Sequence, residues 1–242
     1  MKAIFQLDHI QFSWGEKRII SNLSFTFTAG KKFVLLGPNG IGKSTLLRLL
    51  ARHLVPAGGS ISFKGEPLLS WSADDLAKSL AYLPQEIPQW RGWQVRDLVA
   101  LVLQKRGIST KYIFPQTMEV LDQLKLGSLS LAPFEELSTG QKQKVRLAMI
   151  LAQGADVFLL DEVTTALDPA AQSELMALLT DLCRKINGTL IMATHDLLLA
   201  SRIADGVLLF QEGKILHQIP SSDIFTHPSL KNLYGSSFNA PQ

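Results

Sequence analysis

The stretch Gly37-Pro38-Asn39-Gly40-Ile41-Gly42-Lys43-Ser44-Thr45 constrains this chain more than any other. It follows the apolar run Phe33-Val34-Leu35-Leu36 and opens into Leu46-Leu47-Arg48-Leu49-Leu50, an order that predicts strand, glycine-rich loop and helix. The spacing is G-x-x-x-x-G-K-[ST]. It lets the backbone N–H groups of residues 39–44 turn inward around an anion, while the new helix aims the positive end of its dipole at the same point. Glycine is needed where the backbone comes that close. A nucleotide is the expected occupant, with the Lys43 ammonium between the β- and γ-phosphates and the Ser44 hydroxyl on Mg²⁺. Thr45 is expected to hold either the loop or the α-phosphate.

A second chemical element lies far along the chain. Val157-Phe158-Leu159-Leu160-Asp161-Glu162 reads as a buried strand ending in two carboxylates, and open α/β sheets bind ligands at strand ends beside such a loop. Asp161 is expected to hold Mg²⁺, directly or through water, and Glu162 to act as general base toward an attacking water. An acidic pair alone would more often be a solvated turn; four apolar residues before it argue otherwise.

Between and around these elements the pattern alternates between sheet and helix. Residues 4–12 and 23–28 alternate apolar and polar around the turn-like Trp14-Gly15-Glu16-Lys17, which predicts an antiparallel pair ending at Ala29-Gly30. Pro56-Ala57-Gly58-Gly59 interrupts the pattern, and Ile61-Ser62-Phe63 with Gly65 predicts a short strand and turn. Ser72 reads as a helix start, and Ala81-Tyr82-Leu83 as a strand leading to Pro84-Gln85. Residues 94–104 and 116–126 have helical spacing with glycine, serine and proline between them, and the helical lobe continues through 139–152. There Val145, Ala148, Met149 and Ala152 form an apolar face opposite Lys142, Lys144 and Arg146, read as a solvated face. Val157–Leu160 and Thr189-Leu190-Ile191-Met192-Ala193 have the continuous apolar character of buried parallel strands, connected by a helix over 170–185. A late hairpin is expected from Val207–Phe210 through Gln211-Glu212-Gly213-Lys214 to Ile215-Leu216.

The expected fold is therefore α/β, comprising a phosphate-loop nucleotide-binding core with a parallel sheet, an N-terminal antiparallel β subdomain and an α-helical subdomain. Residues 1–242 are read as one domain, with the helical subdomain inserted at about 94–152. With 46% hydrophobic and 19% charged residues, the chain can bury a large core. A net charge of +3 is too mild for a nucleic-acid footprint, so no nucleic-acid partner is expected. Cys183 is the only cysteine, which excludes an intrachain disulfide or a cysteine zinc cage and fits a reduced compartment. Asp8, His9 and Glu16 interrupt the amino terminus, which lacks the pattern of a cleaved secretory signal. No apolar run reaches the roughly 18 residues of a membrane span. Any membrane role is expected to run through a partner.

Leu137-Ser138-Thr139-Gly140-Gln141 precedes the helix at 142–152, so Ser138 with the backbone of Thr139 and Gly140 makes a second helix-start anion site. One nucleotide does not need two. Together with Gln85, Asp168 and His195, these residues resemble the ATP-binding cassette family over nearly the whole chain. Family members sandwich two ATP molecules between two subunits, each phosphate loop facing the other subunit's signature sequence. The resemblance places Trp14 where the family stacks an aromatic, usually tyrosine, on adenine; otherwise it is a surface aromatic of the hairpin. It implies that Gln85 touches Mg²⁺ and water, and that Ser138, Gly140 and Gln141 form the signature with Thr139 replacing the usual second glycine. Asp168 matches the loop that crosses the dimer interface, and it also stands where it can cap a helix beginning at Pro169. His195 matches the switch histidine at the γ-phosphate, and Val163 replaces the usual proline after the carboxylates.

The resemblance implies an ATP-hydrolysing subunit of a membrane transporter, working as a dimer on the cytoplasmic face of the inner membrane. Its implied partners are a second copy, transmembrane permease subunits and, through the permease, a substrate-binding protein. Lys78–Gln85, Val95–Leu101 and Leu233-Tyr234-Gly235 look like the bacterial importers of iron-siderophore, haem or vitamin B12. Those importers continue with a glycine-arginine and proline-histidine segment where this chain has Val102-Leu103-Gln104-Lys105. An exporter ATPase would share every catalytic residue. A soluble cassette protein acting on DNA or ribosomes would need a coiled-coil insertion or a second cassette, and the interval from Lys43 to Leu137 has room for neither. In the family, the region of Gln89-Trp90-Arg91-Gly92-Trp93 receives a short helix of the permease; the alternative is that both tryptophans fill the joint between lobes.

Overall fold

The computed structural model describes residues 2–164 and 167–230. Leu233-Tyr234-Gly235 lies outside them, as does Ala166 before Asp168. The chain begins with a long antiparallel hairpin, β1 (Ala3–Trp14) and β2 (Lys17–Thr28), followed by β3 (Lys32–Leu36) and α1 (Lys43–Leu50). Next come β4 (Gly58–Phe63), β5 (Glu66–Pro67), α2 (Ala73–Ser79) and β6 (Leu80–Leu83). Three helices follow, α3 (Val95–Lys105), α4 (Thr110–Gln123) and α5 (Thr139–Gln153). The chain then returns to alternating elements in β7 (Val157–Asp161), α6 (Pro169–Ile186), β8 (Thr189–Thr194), α7 (Leu197–Ile203), β9 (Gly206–Gln211) and β10 (Lys214–Ile219).

Two sheets result. One has the order β2-β1-β4-β5 and is antiparallel; the other has the order β10-β9-β3-β8-β7-β6, parallel except for β10. The parallel strands look uniformly apolar in sequence because both of their faces are covered, and alternate residues feed two separate cores. Val34, Leu36, Phe158, Leu160, Leu190 and Met192 face the core shared with α3, α5 and α6. Phe33, Leu35, Val157, Leu159, Ile191 and Ala193 face the core shared with α1 and the antiparallel sheet. A file of rings bolts that sheet to β3: Phe63 to Phe5 at 4.8 Å, Phe5 to Phe27 at 6.4 Å and Phe27 to Phe33 at 5.2 Å. Each edge-on contact contributes about 0.5–1.5 kcal/mol beyond burial. Among the described residues no helix is long and apolar enough to cross a membrane.

The structure corrects the sequence reading at several points. Gly58 and Gly59 do not break the chain but belong to β4, where a methyl group on Gly59 would lie 2.3 Å from the Asp8 carbonyl at a bulge in β1. β2 starts at Lys17 rather than near residue 23, because Trp14 pairs with Lys17 across a two-residue turn. α4 runs through Pro115, which lacks an N–H to donate to the Lys111 carbonyl. Leu121, fully buried in the helical core, anchors the helix beyond the proline. Arg146 is not on a solvated face. It is 2% exposed, because α5 is covered on most of its circumference and its spacing from Gln143 and Ile150 places it on the buried side. α7 was not anticipated; Asp196 caps it, accepting from the Leu199 N–H at 2.9 Å.

Candidate active site

Strand register brings the chemistry to one level. Leu36 at the end of β3 lies beside Thr194 at the end of β8, and Asp161 at the end of β7 lies beside Ala193. The residues just past these ends are therefore Gly37 of the loop, His195 and Glu162. This is the carboxyl edge of the parallel sheet, where ligands of such folds bind.

The loop needs glycine for two distinct reasons. A methyl group on Gly37 would lie 2.5 Å from the Phe210 carbonyl oxygen, so β9 packs where a side chain would be. Gly42 has φ +112°, and a methyl group there would also meet Ile19 Cγ2 at 2.8 Å. Gly42 is the N-cap of α1 and no side chain caps this helix, so its first N–H groups face outward as an anion cradle.

Lys43 is buried, and its ammonium donates to the carbonyls of Gly37 at 2.7 Å and Pro38 at 3.0 Å. It also lies 3.5 Å from Glu162 Oε1. Burial pulls the lysine below its ordinary pKa, with the Glu162 and Asp161 carboxylates opposing. Ser44 donates its hydroxyl to Asp161 Oδ1 at 2.9 Å, and the Tyr82 hydroxyl approaches Oδ2 at 3.5 Å. Burial raises the Asp161 carboxyl, the Ser44 hydrogen bond opposes this, and the neighbouring Glu162 charge adds to it. Glu162 has φ +48°, a left-handed conformation costly for a residue with a Cβ, and its N–H donates to the Ala193 carbonyl at 3.0 Å. That kink turns its side chain away from the direction of Asp161, toward Lys43 and toward His195, whose Nδ1 lies 3.2 Å from Oε2.

Above these groups lies a cleft of about 540 Å³, lined by Asn39, Gly40, Gly42, Lys43, Ser44 and Thr45 on one side and by Gln85 and Glu162 on the other. Trp14 stands at its mouth, half exposed, with its ring edge-on to Phe12 at 5.2 Å. Lys17 and Ile19 complete the wall; no motif marked them, and only the hairpin register places them there. Asp161 lies behind Ser44 rather than in the wall. The hydroxyl and carboxylate oxygens of Ser44 and Asp161 are hard donors of the kind Mg²⁺ takes. Among the described residues no three His, Cys, Asp or Glu side chains gather as a metal cage. A groove of about 580 Å³ between α6 and α7 is slightly larger but carries none of the phosphate-loop residues.

Ser138, Gly140, Gln141 and Asp168 do not line the cleft. Ser138 caps α5 in a reciprocal box, its Oγ accepting from the Gln141 N–H at 3.2 Å while Gln141 Oε1 accepts from the Ser138 N–H at 2.9 Å. Asp168 caps α6, accepting from the Ala171 N–H at 2.9 Å.

A family model described as ABC transporter matches residues 20–165. The hemin import ATP-binding protein HmuV of Shewanella denitrificans is 34% identical over 236 residues, covering 96% of this chain and 93% of that protein. The achromobactin transport ATP-binding protein CbrD of Dickeya dadantii is 36% identical over 232 residues, covering 93% of this chain and 85% of that protein. Among solved structures, a chain of an inward-facing transporter described as of the metal-chelate type matches with a TM-score of 0.80 at 29% identity, covering 97% of this chain and 89% of that one.

Proposed function

The chain belongs to the ABC transporter family of ATPases, and from that premise we propose that it energises import of a metal chelate, namely an iron-siderophore, haem or vitamin B12. It does so as a dimer bound to permease subunits at the cytoplasmic face of the inner membrane. The permease in turn receives cargo from a substrate-binding protein. The import reading rests on relatives named for hemin and achromobactin transport that are matched along nearly their whole length.

The observation that carries the ATPase chemistry is the cluster of Glu162, Lys43, Ser44 and Asp161 at the floor of the cleft. Lys43 exchanges the Gly37 and Pro38 carbonyls for phosphate oxygens. The N–H groups of residues 39–44 bind the same phosphates, Thr45 supports the loop, and Trp14 stacks on the base at the cleft mouth. Ser44 and Asp161 would hold Mg²⁺, with Gln85 as an outer partner; the ion would neutralise charge on the phosphates. Glu162 accepts the proton of the attacking water, and His195, beside it, orients Glu162 and meets the γ-phosphate. Ser138, Gly140 and Gln141 of each subunit complete the partner's cleft, and Asp168 approaches the interface from its cap position.

The test is reconstitution in proteoliposomes with candidate permease subunits. ATP-dependent accumulation of one of hemin, a ferric siderophore or cobalamin is expected. Steady ATP hydrolysis with accumulation of none of the three would overturn the cargo class and leave the ATPase standing.

A further inference from the structure

Two buried polar side chains of α5 have no part in the chemistry described above. Gln143 is 3% exposed and Arg146 is 2% exposed, and both are hydrogen-bonded. Gln143 Nε2 donates to the Val163 carbonyl at 2.7 Å, and its Oε1 accepts from Arg146 Nη1 at 2.8 Å. Arg146 Nη2 donates to the Pro84 carbonyl. The chain of bonds is unidirectional, running from the guanidinium to both carbonyls, and its ends are one residue from the cleft on either side. Pro84 precedes Gln85, and Val163 follows Glu162. Both of those neighbours line the cleft.

Burial of a guanidinium is costly, and here its charge is met by a carbonyl and an amide oxygen. Desolvation pulls Arg146 down to about 10, which still leaves it protonated at neutral pH, so it donates at all working conditions. An apolar residue in the middle of α5 would satisfy packing alone. A planar fork with two donors in use does something packing cannot, in that it sets a distance between two acceptors on different segments. Arg146 also lines a cavity of about 200 Å³ with Pro84, Pro88 and Trp90.

We propose that Arg146 and Gln143 are positioning residues that hold the Pro84-Gln85 segment and the Glu162-Val163 turn in register, so that Gln85 and Glu162 act on the same water. The proposal deepens the ATPase reading given above and rests on it. It predicts that the link matters for turnover and not for nucleotide capture, because neither side chain touches the phosphate loop.

The test uses the purified chain with Arg146→Met, Arg146→Lys and the double variant Gln143→Leu/Arg146→Met, which keeps apolar volume in the core and removes the buried polar pair together. ATP affinity, read by displacement of a fluorescent nucleotide, is expected to stay within about twofold of wild type, because uniform binding is untouched. kcat is expected to fall roughly tenfold to a hundredfold, the scale of misplaced catalytic groups. Arg146→Lys is expected to recover folding without recovering kcat, since an ammonium cannot span both oxygens. In a cycle with Gln85→Ala, the double loss is expected to be much smaller than the product of the single losses. Wild-type kcat in the double apolar variant, or losses that simply multiply with Gln85→Ala, would overturn the relay. Unimpaired hydrolysis by Glu162→Gln would instead overturn the assignment of the site on which it rests, so the two failures are told apart.

Discussion

The helix starts at Gly42 and at Ser138 both read as anion sites in the sequence and are built oppositely. α1 begins on a glycine with a left-handed backbone and no capping side chain, leaving its N–H groups for a ligand. α5 begins on a serine that closes a capping box with Gln141, so one of its N–H groups is already satisfied. The Ser138 oxygen uses an acceptor lone pair for the cap, which leaves its O–H free to donate outward. Thr139 and Gly140, as the first helical residues, have N–H groups without an intrahelical acceptor by position. One helix start is thus an open cradle needing an anion. The other is self-sufficient in the monomer and presents a small set of donors to a surface.

The largest effect tests the cleft that the open helix start serves. Glu162→Gln keeps the side-chain shape at the left-handed position but cannot take the water's proton, so kcat should fall on the order of 10²–10⁴-fold with ATP binding retained. The ATP-bound dimer should persist, and gel filtration with ATP reads it directly.

Ser138→Arg tests the other helix start. A long cation there spoils the donor set that completes the partner's cleft while leaving the cleft of its own subunit untouched, so hydrolysis should be lost and monomer affinity for ATP kept. Lys43→Ala should lose affinity as well. Mixed together, the two variants form a heterodimer with one composite site carrying both defects and one intact, and activity should return to a level neither reaches alone. Equal loss of ATP affinity in Ser138→Arg and Lys43→Ala would sink the shared-site reading.

A matched pair of small changes sharpens the contrast further. Gly42→Ala combines an unfavourable φ of +112° with a contact at 2.8 Å, for a cost of about 1–3 kcal/mol that falls on the phosphate loop. ATP affinity should drop about tenfold or more, since 1.4 kcal/mol is one decade. A methyl group on Gly140 meets only Leu167 Cδ2 at an ordinary 3.5 Å, so Gly140→Ala should leave monomer ATP affinity unchanged. Isothermal titration of both variants decides it.

How much of this was legible in the sequence follows the range of the forces involved. The phosphate loop, the Asp161-Glu162 strand end and the Ser138 helix start announce themselves because each needs particular residue types at short, fixed spacings. β7 and β8 were legible from their continuous apolar runs, although the split of those runs between two cores became visible only in the fold. Arg146 misled because charge in a helix ordinarily means solvent. Its burial depends on which parts of α5 are covered, and that is decided by β6 and the turn after Glu162, distant in sequence. Lys17 and Ile19 reach the cleft through hairpin register, which no local pattern encodes. α4 crosses Pro115 because tertiary burial overrides the local penalty.

The smallest effect on ATP chemistry is expected at the two tryptophans, which the sequence treated as a pair and the structure separates. Trp90 is partly buried against the helical core with its ring 4.9 Å from Phe134, and it walls the cavity reached by Arg146. Trp93 is 42% exposed, and what it fixes is its backbone, whose carbonyl accepts from the Phe134 N–H at 2.8 Å. Serine at position 93 keeps that backbone bond, so Trp93→Ser should change stability by no more than about 0.5 kcal/mol. Trp90→Ser removes a packed indole and should cost about 2–3 kcal/mol, below the full core value because the ring is only partly buried. If the exposed indole is what a permease helix grips, Trp93→Ser should keep melting temperature and ATPase and lose co-purification with the membrane subunit. Retained co-purification would move the contact to the cavity walled by Trp90. In that case occupant and Arg146 would touch directly, and the route from membrane to cleft would be one side chain long.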